Sequence, residues 1–230
     1  MSIYTIGDLH LSLGVSKPMD IFEGWENHVE KLTANWKNKV SDTDCVIIPG
    51  DVSWAMDFDE LRNDFAYIDS LPGKKILLKG NHDFWWSSRS KVERFISENG
   101  WNTISLIQND AVKVEDKVIC GTRSWMYSES FAAEDKKVFN RELIRLKMSL
   151  DAAKTLGGGE ILCFLHYPPI YSNFKAEQII DLLVEYGVGR CYYGHVHGQS
   201  ISYSYTGKYR GVDFCLVSAD ALKFSPLKID

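Results

Sequence analysis

The chain has no run of basic residues, no Cys-x-x-Cys pair and no apolar stretch approaching the ~18 residues of a membrane helix. Each absence removes a class of function. The net charge is −5, and without clustered Lys and Arg there is little to hold a long nucleic-acid backbone. The five cysteines, Cys45, Cys120, Cys163, Cys191 and Cys215, are odd in number, and most lie inside apolar runs such as CVII and LCFL. They read as reduced core thiols, which suits a reducing compartment. The opening MSIYTIGDLH lacks the basic flank and long apolar stretch of a signal peptide. The expectation is a cytoplasmic protein with no membrane span. No repeat, low-complexity segment or linker interrupts the 230 residues, so a single domain over 1–230 is expected.

What is present is an ordinary globular composition, 45% hydrophobic and 25% charged, arranged as short apolar runs alternating with amphipathic segments. Ile3 to Gly7 reads as a strand. Trp25, Val29, Leu32, Trp36 and Val40 recur at helical spacing. Cys45 to Pro49 reads as a strand, 58–70 as a helix, Lys75 to Lys79 as a strand and Arg89 to Asn99 as a helix. This order predicts an α/β fold with parallel strands. The stretch 103–121 reads as short strands in hairpins, with turns at Asn109-Asp110 and Glu115-Asp116. A helix is expected from about 133 to 155, a strand from Ile161 to Leu165, a helix over 175–186 and a strand from Arg190 to Tyr193. The tail, 200–218, reads as a hairpin around Thr206-Gly207.

Of six histidines, His28 lies within the first helix as a packing or solvent-side residue. The other five follow strand-like runs: His10 in GDLH, His82 in GNHD, His166 after CFL, and His195 and His197 in GHVH. Ligands of open α/β sheets bind at the carboxyl ends of strands, so these positions can converge. Asp8, Asp51 and Asn81 stand at the same kind of place, each after a glycine that lets the backbone turn away from the strand. Asp8, His10, Asp51, Asn81, His166, His195 and His197 together offer nitrogen and oxygen donors and no thiolate. Such a set suits Mn, Fe or Zn, and seven ligands suit two ions sharing a bridging carboxylate. Alone, Gly-Asp after a strand is common turn chemistry, Asp-x-His recurs by accident and a single His is more often a hydrogen-bonded loop residue; GHVH says more, and the joint occurrence of all of them after successive strands is not coincidence.

In this order, GDLH (7–10), GD (50–51), GNHD (80–83), His166 and GHVH (194–197), the motifs resemble the calcineurin-like metallophosphoesterase superfamily. The resemblance implies a four-layer αββα sandwich of two mixed β-sheets flanked by helices. It implies one metal on Asp8, His10 and His197, another on Asn81, His166 and His195, and Asp51 bridging the two. His82 resembles the family histidine that contacts the phosphoryl group and protonates the leaving oxygen. The Ser/Thr protein phosphatases extend the second motif to G-D-x-V-D-R-G, but residues 50–56 read GDVSWAM. The likeness is therefore to the bacterial-type phosphohydrolases rather than to that branch.

The implied function is hydrolysis of a phosphomonoester or phosphodiester by a hydroxide held between two divalent or trivalent ions. Asp83 either orients the His82 imidazole or caps the next helix, and the cap ranks first. Arg123, after a strand-like run, is a candidate phosphate clamp, with a surface ion pair as the competing reading. Trp85 and Trp86, with Trp54 and Trp125, follow strand ends; they wall a pocket, stack on a base or sugar, or simply pack loops. The expected partner is a small phosphorylated substrate, nucleotides included. A binding or scaffold protein on the same fold is the alternative, and it should have lost ligands. A metallo-β-lactamase-like enzyme needs H-x-H-x-D-H, which is absent.

Overall fold

Every residue of the run CVIIP is buried, as befits a parallel strand covered on both faces. The computed structural model describes residues 1–126 and 132–229. It divides into two compact units, Met1–Leu106 with Val217–Asp230, and Ile107–Leu216.

The first unit alternates β1 (Ile3–Thr5), α1 (His28–Lys39), β2 (Cys45–Pro49), α2 (Phe58–Ser70), β3 (Lys74–Leu78), α3 (Arg89–Glu98) and β4 (Ile104–Leu106). The four strands pair in parallel in chain order. Side chains alternate across a strand, so Val46 and Ile48 of β2 and Leu77 of β3 share a core with the apolar stripes of the helices: Leu32 and Trp36, Leu61, Phe65 and Ile68, and Val92, Phe95 and Ile96. Asp57 caps α2, its carboxylate accepting from the Asp59 and Glu60 amides.

The second unit holds β5 (Ala111–Val114), β6 (Lys117–Thr122), α4 (Ala133–Leu156), β7 (Glu160–Leu165), β8 (Ile170–Tyr171), β9 (Phe174–Lys175), α5 (Glu177–Glu185), β10 (Arg190–Tyr193), a short 3-10 helix (Gly198–Tyr203), β11 (Gly207–Tyr209) and β12 (Val212–Leu216). Its six-stranded sheet runs β11-β12-β10-β7-β6-β5. The inner four strands are parallel and the two edges antiparallel. Ser149 ties α4 to the sheet: its hydroxyl accepts from the Gly121 amide at 2.9 Å and donates to the Asp110 carbonyl at 2.5 Å. The final strand, β13 (Leu227–Lys228), belongs to the first unit and pairs antiparallel with β1. The fold is thus of α/β class, with two large mixed sheets flanked by helices.

Two local expectations are corrected. Hairpins throughout 103–121 hold only in part. The β5–β6 hairpin turns at Glu115, whose φ is 52, but β4 lies parallel to β3 because Ile104 and Leu106 extend the first unit's apolar face. In the tail the chain reverses at Arg210-Gly211 rather than Thr206-Gly207. Both turn residues have positive φ, 50 and 90, as a two-residue hairpin turn requires. The five cysteines are free thiols, and Cys120, Cys163 and Cys191 stand at paired positions on adjacent strands.

Lys75 interrupts the apolar run of β3 and is fully buried. Its ammonium donates to the Leu71 carbonyl at 2.5 Å and the Asp69 carbonyl at 3.4 Å, closing the end of α2. Burial pushes its pKa down from 10.5 to about 8. The unfolded chain therefore holds the proton over a range where the folded chain has released it. The destabilisation is full below pH 8 and is relieved as pH rises towards 10.5, by about 3 kcal/mol in total. Urea unfolding at pH 7.5 and pH 10 is expected to show this rise in the wild type relative to Lys75→Met. Equal pH dependence in the two proteins would refute it.

Candidate metal centre

In the first unit the β1–β2 ladder continues past both strands. The Asp8 amide donates to the Gly50 carbonyl at 2.9 Å, His10 to Asp51 at 3.0 Å, Leu11 to Val52 at 3.0 Å and Trp54 back to Leu11 at 2.9 Å. This extension sets Asp8, His10 and Asp51 side by side, 0%, 4% and 1% exposed, with His10 Nε2 3.8 Å from Asp51 Oδ2. The expected glycine turns are only half the mechanism. Gly50 does take a positive φ of 97, but so do the ligand positions themselves: Asp8 (56), His10 (46), Asp51 (50) and, in the second unit, His195 (72). A left-handed non-glycine residue costs on the order of 1–3 kcal/mol and persists where surrounding structure enforces it.

The loop after β3 is bound to the Asp51 loop through Asp83. This fully buried carboxylate accepts four backbone N–H groups: Gly80 at 2.7 Å and Asp51 at 3.0 Å on Oδ2, Val52 at 2.9 Å and Ser53 at 3.3 Å on Oδ1. Asp51 Oδ1 in turn accepts from the His82 amide at 2.8 Å. Asn81 lies between these two anchored amides. The helix-cap reading of Asp83 is corrected, since the N-cap of α3 is Ser88. Gly80 is dictated by space: a Cβ there would lie 2.1 Å from Asp51 Oδ1 and 2.2 Å from the Asp51 nitrogen.

The structure divides the tryptophans between the readings left open by the sequence. Trp85 and Trp86 are 3% and 5% exposed and belong to the core, Trp85 meeting Phe65 edge-on at 5.1 Å. Wall or substrate contact is corrected to packing for both. Trp54 stands at the site, as does Trp25, whose ring meets His10 edge-on at 5.7 Å. Trp54 stacks on His10 at 4.9 Å and lies 4.2 Å from the His82 ring. His28 is a packing residue, against Trp25 and Phe224, and burial lowers its pKa.

In the second unit His166 and His195 emerge beyond the neighbouring strands β7 and β10, their rings 5.2 Å apart, with Tyr167 4.2 Å from His195. The His166 amide donates to the Thr122 carbonyl at 3.3 Å and its carbonyl accepts from Gly194 at 3.1 Å. His197 precedes the short 3-10 helix. Arg123 is an ion pair rather than an open cation: its guanidinium is 3.5 Å from the buried Glu142 carboxylate and 4.8 Å over Trp125. Glu142 also holds Arg145 at 2.7 Å.

Two groups of side chains could each hold a metal ion, Asp8 with His10 and His197, and Asp51 with His166 and His195. Within each group the ligand atoms all lie within 4.8 Å of one another. Sequence reasoning missed the supports. Asp64, buried in α2, accepts from Ser53 Oγ at 2.5 Å and from the Leu13 amide at 2.8 Å; burial raises its pKa. An acidic residue on an amphipathic helix gives no signal of that role.

The fold recurs in solved structures. The protein AQ665 of Aquifex aeolicus, described as of unknown function, is 15% identical with a TM-score of 0.51, over 99% of this chain and 95% of its own. TT1561 of Thermus thermophilus is 11% identical with a TM-score of 0.54, over 85% and 81%. No curated protein matches the sequence. The family model for calcineurin-like phosphoesterases matches residues 1–199, which hold every motif residue and both candidate ligand groups; the chain belongs to the calcineurin-like phosphoesterase family.

Proposed function

We propose that the protein hydrolyses a phosphomonoester or phosphodiester with two metal ions. Asp8, His10 and His197 would hold one, Asn81, His166 and His195 the other, and Asp51 would touch both. The observation that carries this reading is the pair of ligand groups, each built of carboxylate and imidazole donors within 4.8 Å. A donor set with no thiolate fits Mn, Fe or Zn. Bound there, such ions supply an activated water and neutralise charge on the phosphoryl oxygens.

The chain's own residues do the rest. Asp51 fixes the His82 backbone through its amide, and the His82 imidazole delivers a proton to the leaving oxygen. Asp83 acts as a positioning residue, gathering the two loops that carry Asp51, Asn81 and His82. The substrate is a small phosphorylated molecule, nucleotides included. Among the described residues no helix is long and apolar enough to cross a membrane, and the free thiols support a cytoplasmic setting. The 1–230 chain acts as one functional domain, since the family match runs through both compact units.

The test is turnover of nitrophenyl phosphate and bis(nitrophenyl) phosphate after reconstitution with Mn, Fe or Zn. His82→Ala is expected to lower kcat by ~10²–10⁴-fold with bound metal, measured by elemental analysis, unchanged. Full metal loading without turnover of any ester would favour a binding protein. An unaltered rate in His82→Ala would remove the proton role.

A further inference from the structure

We propose that Trp54 and Phe84 form a stacking ledge that selects esters whose released group carries an aromatic ring. The inference rests on the hydrolytic reading of His82, because it concerns what lies beyond the leaving oxygen. Three rings stand in sequence in the first unit: Trp54 is 4.2 Å from His82, and His82 meets Phe84 edge-on at 6.0 Å. Phe84 is 53% exposed, and Met56, two residues beyond Trp54, is 60% exposed. A group leaving past His82 therefore meets aromatic side chains. An aromatic ring there gains contact at offset or edge-on geometry, whereas a small hydrophilic alcohol gains nothing.

The ledge is built rather than incidental. Trp54 is fixed by its amide N–H, which donates to the Leu11 carbonyl, by stacking on His10, and by its indole N–H donating to Met19 Sδ at 3.3 Å. Asp64 holds Ser53 and Leu13 from beneath. The segment beyond Leu13 is pressed against α2 at Gly14, where a Cβ would lie 1.9 Å from the Glu60 carbonyl oxygen. That segment delivers Lys17, exposed, with its ammonium 4.2 Å over the Trp54 ring. An exposed ammonium on an indole is weakly held, so it marks a face that a ring can take over.

Binding and turnover test this separately. Benzylphosphonate and ethylphosphonate present the same charged head with and without a ring. Calorimetry on the metal-loaded protein is expected to show benzylphosphonate bound roughly 10-fold tighter. That ratio should collapse towards one in Trp54→Leu and fall several-fold in Phe84→Ala, with ethylphosphonate affinity held in Phe84→Ala. The kcat/KM ratio for benzyl over ethyl phosphate should fall in parallel, because intrinsic reactivities cancel between variants. Equal affinities in the wild type, or a ratio unmoved by both substitutions, would overturn the ledge. Loss of metal and of both ligands in Trp54→Leu, with Phe84→Ala unchanged in its ratio, would reduce Trp54 to a structural prop and also overturn it. If the phosphonate ratios behave as stated but no ester turns over, the ledge stands as a ring-binding site, and the hydrolytic reading fails together with the selection of esters.

Discussion

Asp83→Ala is expected to destabilise the protein by about 3–5 kcal/mol and to release its metal. A buried donor that loses its acceptor costs ~1–3 kcal/mol, and this one carboxylate receives the amides of Gly80, Asp51, Val52 and Ser53. Water entering the space left behind offsets part of the loss, which keeps the sum below four full penalties. Asp83→Asn should be milder. One oxygen still accepts two amides, while the NH₂ group faces the other two and repels them. Urea unfolding with elemental analysis measures both effects, and a loss under 1 kcal/mol for Asp83→Ala would show that the two loops hold without it. The same pair of variants separates positioning from proton relay. If Asp83 only gathers the loops, whatever activity remains in Asp83→Asn keeps the pH profile of the wild type. If it oriented the His82 imidazole, the limb of the profile that reports His82 would shift.

The distinction matters because Asp83 is where sequence reasoning and structure part. The motif placed it beside two site residues, and a carboxylate after a strand has several common uses: cap, orienter or ligand. Which one applies depends on amides supplied by residues 51–53, about thirty positions away, and no local pattern reports them. The same reason hid Asp64 and Lys17, whose partners lie on other elements. Trp85 and Trp86 stayed open between pocket wall and packing for a different reason. They follow a strand end, where ligand-facing residues concentrate, but they share a core with the apolar stripes of α2 and α3, and Phe65 meets Trp85 edge-on. By contrast, β2 and α2 were legible to the residue, because an unbroken apolar run and a clean helical period each admit one reading. The seven donor residues were legible from side-chain chemistry; their division between two ions came from the family resemblance. Their strained backbone was not legible: Asp8, His10 and Asp51 adopt φ values that their sequence neighbours do not demand. That strain is held by the continued β1–β2 ladder and by Asp83, so the legible chemistry depends on the illegible supports.

Gly80→Ala extends that dependence to its limit and should have the largest effect on activity. The added methyl would stand 2.1 Å from Asp51 Oδ1 and 2.2 Å from the Asp51 nitrogen, against a closest normal approach above ~3 Å. The backbone atom cannot rotate away, so the Gly80 and Asp51 loops must separate by about 1 Å. Metal–ligand distances tolerate only about 0.2 Å, and Asp51 is the carboxylate assigned to both ions. The expected result is loss of bound metal and a fall in kcat of roughly 10⁴-fold or more, at or beyond the upper end of the His82→Ala range. Gly100→Ala supplies the control. Gly100 has a φ of 70 with nothing within 4 Å of an added Cβ, so it should cost ~1 kcal/mol of stability and leave turnover intact. Metal content, kcat and thermal melting of the two variants decide the matter. A Gly80→Ala protein that keeps its metal and a tenth of its rate would mean that the loops part without disturbing Asp51, and that the close approach is packing rather than a determinant of the centre.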